Sequence, residues 1–159
     1  PEVILQLSHI LKYTLYETGQ PTVYLSKEME IIKDYVEMYR HRVDRRLTEI
    51  NLNMEGDPGK LLIAPMLLIP FIENSFKHGL GEDEGTSIDI ALNLSGNELN
   101  FRVENSCGES LSTDLDQQNG IGMENTRKRL ELLYPGKHNL AIERPGNTFI
   151  VKLSINLKE

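Results

Sequence analysis

The first 47 residues carry apolar side chains at helical spacing. In the second of two such stretches, apolar positions alternate spacings of three and four, which is typical of one narrow stripe along a helix. These positions are Met29, Ile32, Val36, Tyr39 and Val43. The earlier stretch has a similar stripe, formed by Ile4, Leu7, Leu11 and Leu15. A Gly-Gln-Pro stop between them predicts a helical hairpin whose stripes face each other. We expect the hairpin to pack on the remaining chain, on a second copy, or on both.

The apolar period changes to two at Thr48, which predicts strands. One strand begins there, and a hairpin follows over 88–103 with its turn at Ser-Gly-Asn. Two further strands, over about 139–144 and 148–157, meet at Pro-Gly-Asn.

Two helices separate the strands. The first is predicted over 65–78 and contains Pro70, which marks either its start or a bend. The second covers 122–134, after a polar loop over 106–120. Runs of strands with helices between them predict an α/β two-layer sandwich with a mixed sheet and helices on one face, preceded by the α-helical hairpin.

Composition excludes several classes of protein. The net charge is -7, from 17 Lys and Arg against 24 Asp and Glu, which argues against nucleic-acid binding. The single cysteine, Cys107, closes no intrachain disulfide, as in a reducing compartment such as the cytoplasm. The apolar stretch over 61–72 is too short to cross a bilayer, and we expect no signal peptide in this sequence. Because the chain opens with Pro1, we expect it to be part of a longer protein, with any membrane anchor in a missing N-terminal part.

A polar cluster ends the first of the two later helices. Glu73 and Lys77 are four residues apart, as are Asn74 and His78, so acid, amide, cation and imidazole share the last turns. Spacing alone favours a solvated helix end with a Glu-Lys pair. An Asn inside a helix costs up to about 0.7 kcal/mol relative to Ala. A neutral oxygen ligand for Mg²⁺ is one reason to find it there.

A second candidate site lies in the stretch NGIGMEN at 119–125. A polar loop that feeds Gly-x-Gly into a helix exposes backbone N–H groups where the helix dipole favours a phosphate. The same pattern also occurs at ordinary junctions between loop and helix. It is not a Walker A loop, because no Gly-Lys-Ser/Thr follows.

Taken together, these motifs resemble the GHKL (Bergerat-fold) nucleotide-binding family. The stretch PFIENSFKHG at 70–79 is similar to its N-box, and the run from 119 to 130 is similar to its second glycine box. The chain resembles in particular the LytS-type (YehU-like) sensor histidine kinases. Their helix pattern E-L-x-x-x-x-x-Y-x-x-x-x-x-x-R is similar to Glu28 to Arg42, and LKYTL at 11–15 is similar to their L-L-R-Y-S-L segment.

The resemblance implies two regions, the end of a helical dimerisation and phosphotransfer region over 1–47 and an ATP-binding catalytic domain over 48–159. It implies ATP and Mg²⁺ as cofactors, with Asn74 as the metal ligand, Glu73 as a base or water-orienting carboxylate, and a mobile lid over 108–120. The implied nucleotide-binding residues are Asn74, Lys77, His78, Asn105, Gly120, Gly122, Met123 and Arg127. For Arg127 a salt-bridged helix surface is an equally open interpretation.

Two departures from the family pattern are visible. Asn105 stands where the D-x-G-x-G box has the Asp that receives the adenine amino group, and Cys107 replaces a glycine. Asn keeps a carbonyl acceptor but loses the charge. The H-F-x-F-N segment with the phosphoacceptor histidine does not occur, so we expect that histidine outside this chain, and we interpret His9 as a surface residue.

The functional hypothesis is therefore the cytoplasmic catalytic portion of a two-component sensor kinase at the inner membrane. The γ-phosphoryl group of ATP would pass to a histidine outside the chain and then to a response regulator, in a homodimer formed through the N-terminal helices. Two alternatives stay open. One is a degenerate GHKL module that acts through protein-protein interaction, and the other is a GHKL ATPase.

Overall fold

The computed structural model describes residues 2–80, 85–106 and 120–159, without the side chains of 120 and 121. Cys107, Asn119 and the lid predicted over 108–119 lie outside the described residues. Four helices and seven strands occur in the described part. The helices are α1 (Glu2–Tyr16), α2 (Leu25–Arg40), α3 (Ile69–Gly79) and α4 (Gly120–Leu133). The strands are β1 (Val23–Tyr24), β2 (Thr48–Glu55), β3 (Leu62–Ile63), β4 (Thr86–Ser95), β5 (Glu98–Ser106), β6 (His138–Glu143) and β7 (Thr148–Asn156).

Five of the strands form one mixed sheet in the order β2-β4-β5-β7-β6. Strand β2 runs parallel to β4, and every other pair in this sheet is antiparallel. The register places Asn105 between Ile88 of β4 and Phe149 of β7, near the end of a central strand. The two short strands β1 and β3, which the sequence did not predict, pair antiparallel in a separate sheet.

One face of the large sheet and the inner side of α3 form the core. Alternate residues of β4, Ile88, Ile90 and Leu92, are buried against the fully buried Ile72 and Phe76 of α3. Phe71 meets Phe101 of β5 with ring centroids 6.2 Å apart. This is the period-two and period-3.6 patterning expected of a sheet with helices on one face. The predicted fold class is confirmed.

The helix boundaries differ in detail from the prediction. Helix α3 begins at Ile69 with Pro70 in its first turn, so the residues from Pro65 to Leu68 form a turn and not the first helical turn. A proline fits the first turn because the N–H it lacks has no partner within the helix. Of the two predicted roles of Pro70, the start of the helix is correct.

The N-terminal helices form the predicted hairpin but not with the predicted packing. The stripe of α2 is buried as expected, with Ile32 and Val36 both 0% exposed. The stripe of α1 does not face it, since Ile4, Leu11 and Leu15 are 69%, 52% and 74% exposed. Helix α1 packs on α2 through its other side, where Tyr13 is buried. The helical period identified the apolar stripe of α1 correctly. That stripe does not pack on the α2 stripe because the rest of the chain already covers the α2 stripe. The domain boundary at residue 47 stays a prediction.

Candidate nucleotide site

The polar residues of α3 divide between the protein surface and the interior. Glu73 and Lys77 are exposed, Asn74 is half-buried, and His78 is buried at 8% exposure. The division follows from the helical period, because Phe76 faces the core and fixes the rotation of the helix. The structure therefore brings amide, acid and cation to the accessible side of the last turns, with the imidazole turned inward.

Two tyrosines of α2 contact α3. The Tyr35 hydroxyl donates to Glu73 Oε1 at 3.1 Å. The Tyr39 ring stacks on Phe76 with centroids 4.2 Å apart and an interplanar angle of 5°. Burial, with a contribution from Tyr39 and from the negative charge of Glu73, raises the pKa of Tyr35 well above its ordinary range, so the phenol stays a donor. Glu73 is thus oriented by a hydrogen bond from α2 and not by Lys77.

The end of α3 lies directly against the predicted base-binding position. A Cβ atom on Gly79 would lie 2.9 Å from Asn105 Cβ, closer than real Cβ atoms approach, and 3.0 Å from Ile88 Cγ1, which is tighter than most real contacts. Asn105 is fully buried, and its Nδ2 donates to the Ser106 carbonyl at 3.3 Å. Only a glycine allows the N-box-like helix to end at this distance from β5.

Helix α4 begins at Gly120, two residues before the predicted start, and so includes both glycines of the Gly-x-Gly pattern. Gly122 is exposed, Met123 packs against the core, and Arg127 is exposed. The first N–H groups of a helix have no partner within it, so the backbone there offers donors to an anion. Neighbouring Lys128 pairs with Glu124 at 3.5 Å, the salt-bridged surface that was the other interpretation of this helix.

The donor set fits a magnesium nucleotide better than a metal alone. The described residues contain no group of three or more His, Cys, Asp or Glu side chains that could hold a metal ion. Mg²⁺ at nucleotide sites is commonly bound by one or two protein oxygens together with substrate phosphates. The accessible amide of Asn74 provides such an oxygen, and Lys77 provides a cation on the same helix.

Sequence reasoning missed two residues that shape this region, Glu28 and Tyr35. Both stand in the pattern that the helix from Glu28 to Arg42 shares with sensor kinases, as its Glu and its Tyr. The pattern supported the resemblance but gave neither residue a role. Glu28 contacts the turn before α3, and Tyr35 contacts α3 itself. Both contacts join residues that are 38 positions apart in the sequence, and no local pattern predicts such contacts.

Comparison with known proteins identifies the relationship. Residues 1–47 match the family model described as histidine kinase. The chain is 26% identical over 163 residues to the sensor histidine kinase/phosphatase LytS of Staphylococcus aureus. This alignment covers 93% of this chain and 28% of LytS. It is 32% identical over 125 residues to the sensor protein kinase HptS of the same species, and this alignment covers 79% of this chain and 21% of HptS.

The chain is a relative of the sensor histidine kinases. The resemblance to the LytS type is confirmed, and the relatives are kinases by name. The chain spans between a fifth and a third of the length of these relatives. No described helix has the length and apolar character needed to pass through a bilayer.

Solved structures give the same fold for this histidine kinase relative. The catalytic domain of histidine kinase ThkA matches with a TM-score of 0.60 at 15% identity, over 85% of this chain and 93% of that one. ThkA in complex with the response regulator TrrA matches with a TM-score of 0.57 at 16% identity, over 96% of this chain and 47% of that one. Full-length ShkA in complex with AMPPNP matches with a TM-score of 0.60 at 13% identity, over 98% of this chain and 35% of that one. At these identities the likeness concerns the fold alone.

Proposed function

We propose that the chain is the ATP-binding catalytic portion of a two-component sensor histidine kinase, in the cytoplasmic domain of an inner-membrane sensor. The observation that carries the proposal is the end of α3. There the N-box-like residues Asn74 and Lys77 are accessible, and Gly79 abuts Asn105, the residue at the adenine-reading position. When bound, Mg-ATP supplies the γ-phosphoryl group, which passes to a histidine outside this chain and then to an aspartate of the response regulator.

The residues of this chain bind and orient. Asn74 offers its amide oxygen to Mg²⁺, and Lys77 and Arg127 offset the negative charge of the phosphates. His78, buried on the inner side of the same helix, would support the phosphate side of the site from within the protein. The backbone around Gly120, Gly122 and Met123 donates N–H groups at the start of α4. Asn105 accepts from the adenine amino group through its amide oxygen. These assignments share the charge and hydrogen-bond pattern that a nucleoside triphosphate requires.

Glu73 acts as the base or the water-orienting carboxylate. Tyr35 donates to it and fixes its orientation, while its exposed side leaves it free to receive a proton. Positioning by such contacts supplies much of the rate in phosphoryl transfer, because the reaction needs little covalent chemistry from the protein.

Two partners follow from this function, a second copy of the chain and a response regulator. The exposed apolar stripe of α1, which includes Ile4 and Leu15, supports a homodimer through the N-terminal helices, since monomers rarely expose such a patch. The structural relative ThkA is described in complex with a response regulator, and we propose a partner of that class here. The net charge of -7 argues against nucleic acid.

Calorimetric titration with ATP, with and without Mg²⁺, tests the proposal, with GTP as the control nucleotide. We expect Mg-dependent binding of ATP, and no acid-labile label on the chain after incubation with γ-labelled ATP. Label that disappears in His9→Ala would contradict the interpretation that His9 is a surface residue and not a phosphate acceptor. Absence of binding would favour a protein-interaction module, and release of free phosphate would favour an ATPase.

A further inference from the structure

A buried carboxylate joins three parts of the fold. Glu28 of α2 is 0% exposed, and its Oε2 accepts two hydrogen bonds. One comes from the Tyr13 hydroxyl of α1 at 2.6 Å, and the other from the Met66 backbone N–H at 3.1 Å, in the turn before α3. Oε1 has no hydrogen-bond partner within the described ranges. A buried carboxylate is costly, so its position at the meeting point of α1, α2 and α3 needs a reason.

The N-terminus of α3 provides that reason. Its N-cap residue, Leu68, makes no side-chain hydrogen bond, and the first turn contains no acidic residue. The leading N–H groups of a helix need an acceptor, and a negative charge there is favourable. The backbone N–H groups of Met66, Leu68 and Leu67 all favour the charged form of Glu28. Glu28 of α2 thus places a carboxylate at the turn that leads into α3, and it is bonded there to the Met66 N–H.

The same turn is held from the opposite side. Met66 has φ 57°, a left-handed backbone conformation that is unfavourable for a non-glycine residue and persists only where its surroundings enforce it. Arg129 of α4 donates to the carbonyls of Met66 at 3.3 Å and Pro65 at 3.0 Å. The Tyr134 hydroxyl accepts from the Ala64 N–H at 2.8 Å. The strained turn is therefore bonded to α2 on one side and to the helix of the second glycine box on the other.

We propose that Glu28 is a positioning residue for the nucleotide site, which holds the turn at Met66 and thereby sets the placement of α3 against β5. The inference rests on the proposed function, because it matters only if Asn74 and Lys77 meet a nucleotide. A helix transmits a shift of its first turn along its whole length. A displacement of 1 Å at a binding group is enough to change activity by about a hundredfold.

Four variants of the chain test this proposal. Glu28→Met fills the same space but offers no acceptor, whereas Glu28→Gln keeps an oxygen for Tyr13 and Met66. Tyr13→Phe removes one of the two donors. The control, Leu99→Ala, opens a cavity at the fully buried end of β5 remote from Asn105, so it lowers stability without removing a hydrogen bond of the turn. Each variant is measured by amide hydrogen exchange without nucleotide and by calorimetric titration with Mg-ADP, at a temperature where all four are folded.

The two measurements separate this inference from the proposed function. We expect Glu28→Met to accelerate exchange selectively over residues 66–79 and to weaken Mg-ADP binding by about tenfold or more. Glu28→Gln should restore most of the parental exchange rate and Mg-ADP affinity. Tyr13→Phe should give values between those of the parent and Glu28→Met, and Leu99→Ala should bind Mg-ADP like the parent. If Glu28→Met does not fold, Tyr13→Phe must still show the selective exchange.

Uniform acceleration in Glu28→Met, as in Leu99→Ala, with parental affinity for Mg-ADP would overturn the positioning role. Failure of the parent chain to bind Mg-ADP overturns the proposed function. Selective exchange over 66–79 in the nucleotide-free variants would in that case still establish the part of the inference that concerns α3.

Discussion

Gly79 at the end of α3 packs so closely on Asn105 of β5 that a single added carbon would lie 2.9 Å from Asn105 Cβ. Neither contacting atom can move aside cheaply, because Asn105 Cβ is bound to the backbone and Ile88 is fully buried. This contact joins two parts of the chain that the sequence separates by 25 residues, the N-box-like helix and the strand that ends where the family has its D-x-G-x-G box. The geometry of the candidate site depends on it.

Replacement of Gly79 by Ala should therefore destabilise the chain and disturb the site. Overpacking of this kind costs about 1–3 kcal/mol, and we expect both a lower free energy of unfolding and weaker Mg-ATP binding. Urea denaturation and calorimetric titration measure the two effects. Gly19→Ala is the matched control, because an added carbon there meets nothing within 4 Å. Parental stability in Gly79→Ala would show that α3 is free to shift away from β5.

Asn74→Ala should leave the fold intact and remove the Mg-dependent part of nucleotide binding. A half-buried amide contributes little more than about 1 kcal/mol to stability, whereas loss of its oxygen removes a ligand from the metal. Thermal melting reports the fold, and titration with ATP in the presence and absence of Mg²⁺ reports the site. Asn53→Ala, the same change at an exposed position of β2, should bind like the parent. A folded Asn74→Ala that binds Mg-ATP like the parent would exclude the metal assignment.

Asn105 determines the choice of base if the adenine amino group contacts it. Asn105→Ala should then lose most of the preference for ATP over GTP. Asn105→Asp adds a charge-assisted acceptor and should tighten ATP binding by about 1 kcal/mol. Because Asn105 is fully buried, the same Asp should lower stability in the absence of nucleotide. Equal ATP and GTP affinities in the parent and in Asn105→Ala would place base selection elsewhere.

Glu28 should make the stability of the chain depend on pH in a defined direction. Burial raises the pKa of the Glu28 carboxyl above its ordinary value, although the hydrogen bond from Tyr13 and the nearby backbone N–H groups of Met66, Leu68 and Leu67 act to lower it. The folded chain then binds the proton more tightly than the unfolded chain does. Its free energy of unfolding must fall as the pH rises from the ordinary Glu pKa through the folded pKa.

This contribution is absent in Glu28→Gln, which has no proton to release at that position. We expect the difference in unfolding free energy, parent minus Glu28→Gln, to decrease as the pH rises. Urea denaturation at a series of pH values gives that difference directly. A difference that increases with pH would mean that the hydrogen bonds outweigh burial and that the pKa of Glu28 is lowered.

The exposed stripe of α1 should carry the homodimer. Leu11 and Leu15 are 52% and 74% exposed, so charged residues there leave the core of one chain intact. We expect the double variant Leu11→Glu, Leu15→Glu to be a folded monomer by sedimentation, and the parent to be a dimer. Leu132→Glu, the same change at a residue that is 80% exposed on α4, should stay dimeric. Dissociation by Leu132→Glu alone would move the interface to α4.

Local patterns determined most of the secondary structure. The periods of two and 3.6 located the five long strands and all four helices, because side chains on one face of a regular element must be buried together. The Asn74 and Gly79 motif on α3 was readable for the same reason, since its residues are consecutive. The burial of the α2 stripe also followed from spacing.

Tertiary structure decided what those elements contact. The exposure of the α1 stripe, the hydrogen bond from Tyr35 to Glu73 and the short β1-β3 sheet depend on which faces compete for the same core. The left-handed turn at Met66 is the clearest case, because its own residues favour other conformations. It persists through acceptors and donors on α2 and α4, which lie far from it in the sequence. Such contacts arise from the packing of the whole chain, and a pattern over a few residues contains no information about them.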